Sequence, residues 1–372
     1  MDDGDKSGDR PGEPSPHPEP PTASGSGGGG KTSERRPARR SASARRFAAL
    51  DLGTNNCRLL IATPRGGGFR VIDAFSRIVR LGEGLATAGA LSQAAMDRTI
   101  DALKICAQKV ERRNVYRGRY IATQACRAAA NGGEFLERVT RETGLNFEII
   151  STEEEARLAV RGCSDLIDPN ASAAAIFDIG GGSTEISWVK RDGETIDIAA
   201  WLSLPLGVVN LSEAYGGREL DASAYDDVVE AVRSDIRAFG DPAALRPIFD
   251  NAGAHLLGTS GTVTSIAGVH LDLPRYRRDL VDGLWLSDGE ARAVSTRLRG
   301  LDFEGRAGLA CIGRERADLV VYGCAILEAL MREWPAARIR VADRGLREGV
   351  LSDLMEAARR RRRPRGRGRR RA

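Results

Sequence analysis

The amino-acid sequence predicts an α/β protein with mixed β-sheets whose body contains an internal duplication. Strand-like apolar runs alternate with helical segments between residues 47 and 358. The turns DLGTNNCR (51–58) and DIGGGSTE (178–185) share one pattern, which is a strand, an Asp-x-Gly turn and a second strand. These two turns lie 127 residues apart in the chain. A duplicated domain is the economical explanation of that spacing.

The individual elements follow from local periodicity and from turn and capping residues. Short apolar runs predict strands at 47–50, 57–63, 119–123, 147–150, 173–177 and 184–189. Helical spacing predicts helices at 93–113, 133–143, 153–163, 224–238, 288–299 and 316–333. Ser92 is the expected N-cap of the first of these helices, and Gly144 is the residue expected to end the second.

The charge of the chain is unevenly distributed between its ends and its body. The 372 residues contain 56 Lys+Arg and 51 Asp+Glu, a net charge of +5, but the body at 47–358 has a charge of −7. The last segment, 359–372, holds ten Arg and no acid. No uncharged apolar run approaches the ~20 residues that a membrane span needs, and the N-terminus has no apolar signal region. A cytoplasmic protein without a membrane span is therefore expected.

The cysteine and histidine content limits which metal sites, disulfides and acid–base groups are expected. The six Cys form no C-x-x-C pair, and the chain has three His. A Cys/His zinc site and a disulfide-stapled secreted fold are both disfavoured, and buried free thiols are expected. The scarcity of His leaves carboxylates as the expected acid–base groups.

Both ends of the chain are predicted to be disordered. Residues 1–46 contain seven of the fifteen Pro and no Val, Ile, Leu or aromatic residue. The segment GSGGGGKT (25–32) matches a phosphate-loop pattern, but its Pro-rich flanks supply neither the strand nor the helix that such a loop requires. The Arg-rich tail, 359–372, is expected to attract polyanions, and a solvated tail without a specific role is the alternative.

The repeated turn suits phosphate binding. A buried strand delivers a carboxylate to its tip, and the Gly-rich hairpin that follows turns backbone N–H groups toward an anion. A carboxylate in that position can hold a hydrated Mg²⁺ that bridges to phosphate oxygens. Any tight hairpin can use Asp and Gly for turn geometry alone. Two such turns at equivalent positions nevertheless point to a phosphate clamped between two domains.

Six segments then identify a family resemblance. In chain order, DLGTNNCRLLIA, TQACR (123–127), ISTEEEARLAVRG (150–162), IFDIGGGSTEI (176–186), LGTSGT (257–262) and DRGLREGVL (343–351) resemble the motifs of the exopolyphosphatase/guanosine pentaphosphate phosphohydrolase (Ppx/GppA) family. The resemblance implies two ribonuclease-H-like (actin-like ATPase) domains with mixed sheets and an active-site cleft between them. It places the domains at 47–170 and 171–344, with a helix near 345–357 completing the first. It also implies a short member without the C-terminal helical domain of longer relatives.

The resemblance makes Glu155, in the E-E-A-R motif, the general base that activates water. A capping box, Thr152-x-x-Glu155, would instead give Glu155 a purely structural role. If Ser151 caps the helix, Glu154 takes that structural role and Glu155 is free to face the cleft.

The remaining site residues divide into metal ligands and phosphate contacts. Asp51 and Asp178 are expected to hold Mg²⁺, directly or through water, with Glu185 as a helper. Arg127 is expected to grip a phosphate group. Three turns are expected to contact phosphate or nucleotide: Thr54, Asn55 and Asn56; Gly181, Gly182 and Ser183; and Gly258, Thr259, Ser260 and Gly261. For the third of these, an ordinary strand-to-helix turn is the alternative. In the first turn Asn56 replaces the second hydroxyl of the family's D-x-G-S-N-S, which leaves the substrate preference open.

The expected function is a Mg²⁺-dependent phosphoanhydride hydrolase that releases terminal orthophosphate from inorganic polyphosphate. Guanosine pentaphosphate (pppGpp) is the second candidate substrate. A kinase or ATPase of the same superfamily and a non-catalytic nucleotide- or polyphosphate-binding protein are the competing functions. A homodimer is one conceivable assembly.

Overall fold

Two mixed β-sheets, each flanked by helices, form the part of the chain that the computed structural model describes, residues 45–241, 244–250 and 253–362. The GSGGGGKT segment and most of the Arg-rich tail lie outside the described residues. The strands are Phe47–Leu52 (β1), Asn56–Arg65 (β2), Gly68–Ile78 (β3), Arg117–Ala122 (β4), Phe147–Ile149 (β5), Ala173–Ile179 (β6), Thr184–Asp192 (β7), Thr195–Leu204 (β8), Ala254–Thr259 (β9), Trp285–Ser287 (β10) and Arg338–Val341 (β11).

The helices pack on both faces of these sheets. They are Leu85–Ala88 (α1), Gln93–Arg112 (α2), Gln124–Ala128 (α3), Gly132–Thr143 (α4), Thr152–Cys163 (α5), Val208–Ala214 (α6), Ala222–Phe239 (α7), Arg246–Asp250 (α8), Ser260–His270 (α9), Arg278–Val281 (α10), Asp288–Arg299 (α11), Phe303–Ala307 (α12), Val320–Glu333 (α13) and Leu346–Arg362 (α14).

The two sheets repeat one topology. The first has the order β3-β2-β1-β4-β5, and the second has the order β8-β7-β6-β9-β11-β10. In both sheets the two leading strands form an antiparallel hairpin, and the first strand of that hairpin also pairs in parallel with a later strand. Strand β10 is an additional edge strand, antiparallel to β11. We call the first sheet with its helices the first lobe and the second sheet with its helices the second lobe.

Strand β1 shows why the central strands are apolar up to the Asp near their ends. Ala48, Leu50 and Leu52 belong to one hydrophobic cluster, together with residues of α2 and α4. Phe47 and Ala49 point the other way and join residues of α14. Successive side chains of a strand point to opposite faces, so a strand that is covered on both faces becomes uniformly apolar.

Two helices connect the lobes. Helix α5 contacts β7 and β8 of the second lobe, whereas α14, which follows the last strand of the second lobe, packs on β1. The backbones of α5 and α14 approach closely. A Cβ at Gly162 would collide with the backbone at the start of α14, and a Cβ at Gly349 would collide with the backbone of α5. This contact joins the second half of α5 to the start of α14.

Most of the predicted elements are present, with shifted ends. Helix α2 begins after Ser92, whose Oγ accepts the Ala95 N–H at 3.2 Å, and Gly144 adopts the left-handed conformation (φ 72°) after α4. Both capping predictions are confirmed. The helix predicted from residue 316 begins at Val320.

The boundaries of the predicted disordered ends need correction. Arg46, assigned to the disordered N-terminus, donates to the Arg113 carbonyl oxygen, and Arg45 lies over the Tyr116 ring. Residues 359–362, assigned to the tail, continue α14. Arg360 there pairs with Glu356 one turn earlier at 2.6 Å, a spacing that supports a helix.

The thiol prediction also holds. All six cysteines are free and buried, and Cys57 lies 4.0 Å from Cys106, measured between the Sγ atoms. Within the described ranges, no helix is long and apolar enough to cross a membrane.

Candidate active site

The two repeated hairpins face each other and enclose a cavity of about 120 Å³, which we call the first chamber. The β1–β2 turn closes with a hydrogen bond from Gly53 N–H to the Asn56 carbonyl oxygen, and the β6–β7 turn closes equivalently from Gly180 to Ser183, both at 2.9 Å. Thirteen of the fifteen residues named from the sequence line the first or the neighbouring chamber described below, or both: Asp51, Thr54, Asn55, Asn56, Glu155, Asp178, Gly181, Gly182, Ser183, Glu185, Thr259, Ser260 and Gly261.

The hairpin turns approach each other so closely that the second one needs glycine. A Cβ at Gly181 would lie 3.1 Å from the Asn55 backbone nitrogen, and a Cβ at Gly182 would lie 2.8 Å from Thr54 Oγ1. Real Cβ atoms do not approach other atoms that closely without displacing them. The first chamber is therefore closed on the side where the two turns touch.

Four carboxylates line the first chamber, and burial raises the pKa of each. The pKa of Asp51 rises to about 6, and that of Glu185 rises to about 7. The pKa of Asp178 is also raised, chiefly by burial and against the pull of Arg58. Buried carboxylates next to one another resist ionisation, so a bound cation would favour their charged forms.

The donor set fits a hydrated magnesium ion better than an ion enclosed by protein ligands. Among the described residues, no three His, Cys, Asp or Glu side chains are arranged around a common point as metal ligands. Mg²⁺ typically retains several waters and binds through one or two carboxylates together with substrate phosphates. Asp51, Asp178 and Glu185 all line the first chamber and can fill that role.

Glu155 and Glu154 lie in opposite environments. Ser151 caps α5, with its Oγ accepting the Glu154 N–H at 3.2 Å. The Glu154 carboxylate pairs with Arg157 and Arg119, at 2.7 and 2.9 Å, and the hydrogen bond from Arg157 lowers its pKa. Glu155 lines the first chamber, and its pKa is raised well above the usual range, first by burial and then by Glu185. Glu154 thus has the structural partners, and Glu155 faces the cavity.

Arg127 lies behind Glu155 and does not line the first chamber. Its Nη1 donates to Glu155 Oε2 at 3.1 Å and to the Ile150 carbonyl oxygen at 2.8 Å, and its Nη2 donates to Gln124 Oε1 at 2.9 Å. Arg127 thus contacts Glu155 in this structure, and its expected grip on phosphate stays a prediction.

The LGTSGT turn reaches the cavity only at its second half. Gly258 lies under the Phe177 ring, where a Cβ would be 2.6 Å from Phe177 Cζ, and it lines neither chamber. Ser260, with a strained φ of 86°, and Gly261 line the first chamber. The turn is a strand-to-helix connection, and its cavity-facing residues sit at the start of α9.

Several buried polar atoms at the chamber have no hydrogen-bond partner within the described residues: Asn55 Oδ1, Asn56 Oδ1 and Ser260 Oγ. Buried polar atoms are nearly always paired in folded proteins, so unpaired ones at a cavity suggest a ligand or its water as the missing partner. An amide can also be turned to present its NH₂ group to a phosphate oxygen.

A second cavity of about 810 Å³ adjoins the first and is lined by seven arginines; we call it the second chamber. Arg58 and Arg316 line both chambers, at the passage between them, and Arg347 lines the second. The side chains of these three form no hydrogen bond or ion pair within the described parts of the chain. Sequence reasoning missed all three, although Arg58 stands inside the quoted DLGTNNCR motif.

Comparison with known proteins identifies a family and similar solved structures. A model of the Ppx/GppA phosphatase family matches residues 60–358. A crystal structure of the family member from Aquifex aeolicus is 28% identical, with 84% of this chain and 98% of that chain covered and a TM-score of 0.70. An exopolyphosphatase from Cytophaga hutchinsonii is 24% identical over 84% of this chain and 98% of its own, with a TM-score of 0.73, and supports the fold.

These likenesses confirm the predicted fold class of two actin-like domains with mixed sheets. The family match also spans every motif from TQACR to DRGLREGVL. The chain therefore belongs to the Ppx/GppA phosphatase family.

Proposed function

We propose that this protein is a Mg²⁺-dependent exopolyphosphatase that releases terminal orthophosphate from inorganic polyphosphate. The observation that supports this best is the pairing of two unlike chambers. A small chamber lined by four carboxylates adjoins a large chamber lined by seven arginines and five carboxylates, and Arg58, Arg316 and Arg347 of the large chamber have no ion-pair partner within the described residues. The first suits one phosphoryl group with a metal ion, and the second suits the remaining anionic chain.

The geometry favours attack at a chain end. The first chamber is closed where the two hairpin turns touch, at Asn55 and Gly181. A phosphate chain that enters past Arg58 and Arg316 has no second exit on that side. The terminal phosphoryl group is then the one that reaches the carboxylates.

Glu155 is the proposed base. Its raised pKa makes the ionised carboxylate a stronger proton acceptor than an ordinary glutamate at neutral pH. Arg127, which also donates to Gln124 Oε1, holds the carboxylate at one orientation, so that the proton of the attacking water passes to a fixed oxygen. A Mg²⁺ ion at Asp51, Asp178 and Glu185 would neutralise charge on the phosphoryl group.

A second candidate substrate is pppGpp, because the second chamber includes one aromatic wall residue. Tyr276 lines it and is 40% exposed. An exposed ring beside several guanidinium groups can stack on a nucleobase. The arginines can bind the phosphates of either substrate, so kinetics must decide between polyphosphate and pppGpp.

The first test measures orthophosphate release from long polyphosphate, short polyphosphate, pppGpp and ATP, with Mg²⁺ and with a chelator. We expect the highest kcat/KM with long polyphosphate and no turnover after chelation. A higher kcat/KM with pppGpp would select the second candidate. Consumption of ATP alone would favour a kinase or ATPase and contradict the proposal.

The second test replaces each of two adjacent glutamates with glutamine in separate variants. Glu155→Gln keeps the hydrogen bond from Arg127 but removes the base, so kcat should fall about 10²–10⁴-fold. Glu154→Gln is the matched control, because it removes the same charge one residue earlier and outside the cavity. Substrate binding, measured by equilibrium titration, should be retained in both variants. A larger loss of kcat in Glu154→Gln would show that the roles are reversed.

A further inference from the structure

The segment 79–84, which we call the strap, crosses from the end of β3 and is bonded to the first phosphate-binding turn. The Val79 and Arg80 N–H groups donate to the Asn55 carbonyl oxygen at 2.8 and 3.1 Å, and the Gly82 N–H donates to the Thr54 carbonyl oxygen at 2.9 Å. A Cβ at Gly82 would collide with the Thr54 side chain. The strap and the first turn therefore move as one unit.

The same strap is anchored to the second lobe at two points. Arg80 Nη2 donates to Asp318 Oδ2 at 3.1 Å and to the Glu315 carbonyl oxygen at 3.3 Å. The Gly84 N–H donates to Glu213 Oε1 at 2.8 Å. These bonds link residues more than 120 positions apart. Neither Arg80 nor Asp318 lines either chamber.

Arg80 has the backbone conformation of a residue held in place by its surroundings. Its φ of 47° lies in the left-handed region, which is unfavourable for a residue with a side chain. Arg98 fixes this conformation by donating to the Val79 and Arg80 carbonyl oxygens. Strained backbone persists only where the neighbouring structure enforces it, and it is often found at functional sites.

We propose that Arg80 and Asp318 are positioning residues that hold the first phosphate-binding turn against the second. The first turn touches Gly181 and Gly182 on the facing hairpin, so the ion pair maintains the side of the first chamber that is closed. Loss of the pair would let the strap and the first turn retreat together. The terminal phosphoryl group would then lie out of line with the attacking water, while the arginines of the second chamber would still bind the chain.

The kinetic test rests on the proposed hydrolase function and uses a double-mutant cycle. Arg80→Gln and Asp318→Asn should each lower kcat for long polyphosphate about tenfold, with KM changed less than about threefold. The double variant should be no worse than the poorer single variant. Arg80→Lys should recover part of the loss. Arg138→Gln, which breaks exposed ion pairs of the first lobe to Asp97 and Glu142, is the matched control.

A thermal melt separates positioning from general stability. The Arg80 and Asp318 side chains are 34% and 14% exposed, and an ion pair of that kind adds little to folding stability. The melting temperatures of Arg80→Gln and Arg138→Gln should therefore agree closely while their kcat values differ. Equal loss of stability and activity in Arg80→Gln would reduce the pair to a structural contact and overturn the proposal.

Hydrogen exchange provides a readout that does not need activity. The Gly82 amide, bonded to the Thr54 carbonyl oxygen, should exchange at least several-fold faster in Arg80→Gln than in the unmodified protein or in Arg138→Gln. Unchanged exchange together with unchanged kcat would refute the strap proposal. An inactive unmodified protein would refute the hydrolase function, and exchange alone would then decide the role of the strap.

Discussion

The two repeated hairpins share a backbone and differ in charge. In the register of β1 and β2, Asp51 lies opposite Arg58, and in that of β6 and β7, Asp178 lies opposite Glu185. The turn hydrogen bonds are equal in length. The duplicated scaffold therefore presents a carboxylate and a guanidinium from one half and two carboxylates from the other.

The partners of these opposing residues differ as well. Glu185 Oε1 accepts hydrogen bonds from Ser183 Oγ at 2.6 Å and from Ser203 Oγ at 3.1 Å, so its carboxylate is fixed. The Arg58 side chain makes no such bond within the described residues and faces both chambers. We infer that the second hairpin is built to hold a cation, and that the first hairpin is built to meet a phosphate chain.

The largest effect should come from removing the positive charge of the first hairpin. Arg58→Gln removes the guanidinium at the passage between the chambers, and a charge-assisted contact of this kind is worth about 10–100-fold in affinity. KM for polyphosphate should rise by that factor and lose part of its salt dependence. Arg58→Lys should retain the charge and an intermediate KM. An unchanged KM in a salt series would remove Arg58 from the substrate path.

A medium effect should appear in the pH dependence of stability, where the acidic second hairpin should dominate. Because burial raises the pKa of Asp51 to about 6 and that of Glu185 to about 7, the folded protein binds protons that the unfolded chain releases. Stability without metal should therefore be highest near pH 4 and fall as pH rises toward 7, lowering Tm by roughly 3–10 °C. Added Mg²⁺ should offset that fall.

The same melts can separate the contributions of the two hairpins to the pH dependence of Tm. Among the neighbouring charges, Glu185 raises the pKa of Glu155 more than Asp51 does. Glu185→Gln should therefore flatten the pH dependence of Tm more than Asp51→Asn does, because it removes the raised pKa of Glu185 and lowers the pKa of Glu155. Equal flattening by both variants would mean that the hairpins contribute equally to the acidic cluster.

The sequence was most informative where a local pattern decides the structure. Both hairpins were predicted from short apolar runs that end in Asp and Gly, and the α5 cap was predicted from Ser151 as one of two options. The edge strands β3 and β8 were not predicted, and in β3 polar side chains interrupt the apolar ones so that no continuous apolar run marks it. Their position in the sheet is a tertiary property.

The missed residues are those that the fold brings together from distant segments. Arg316 lies 258 positions after Arg58 and reaches the same passage, with no motif to connect the two. Arg127 was expected to contact phosphate, and its hydrogen bond to Glu155 is a contact that the sequence did not predict. The sequence shows that a residue lies in or near a motif. Its hydrogen-bond partner depends on side-chain packing in three dimensions.

The smallest effect concerns Asn56, the position that corresponds to Ser183 in the second hairpin. The Ser183 hydroxyl bonds to Glu185, two residues later. The residue two positions after Asn56 is Arg58, which cannot accept a hydrogen bond. A serine at 56 would thus lack the partner that Ser183 has, and its hydroxyl would be free to donate to phosphate, as the Asn56 amide is.

Asn56→Ser should therefore change kcat/KM for polyphosphate by less than about threefold, because one neutral donor replaces another and the turn bond from Gly53 uses only the backbone. Its shorter side chain should shift the ratio of polyphosphate to pppGpp turnover more than it shifts either rate. Paired kinetics on both substrates measure this, and Asn56→Ala, which supplies no donor, is the control. If Asn56→Ala matched Asn56→Ser on both substrates, the side chain at 56 would not contact the substrate, and the first hairpin would act through its backbone and Arg58 alone.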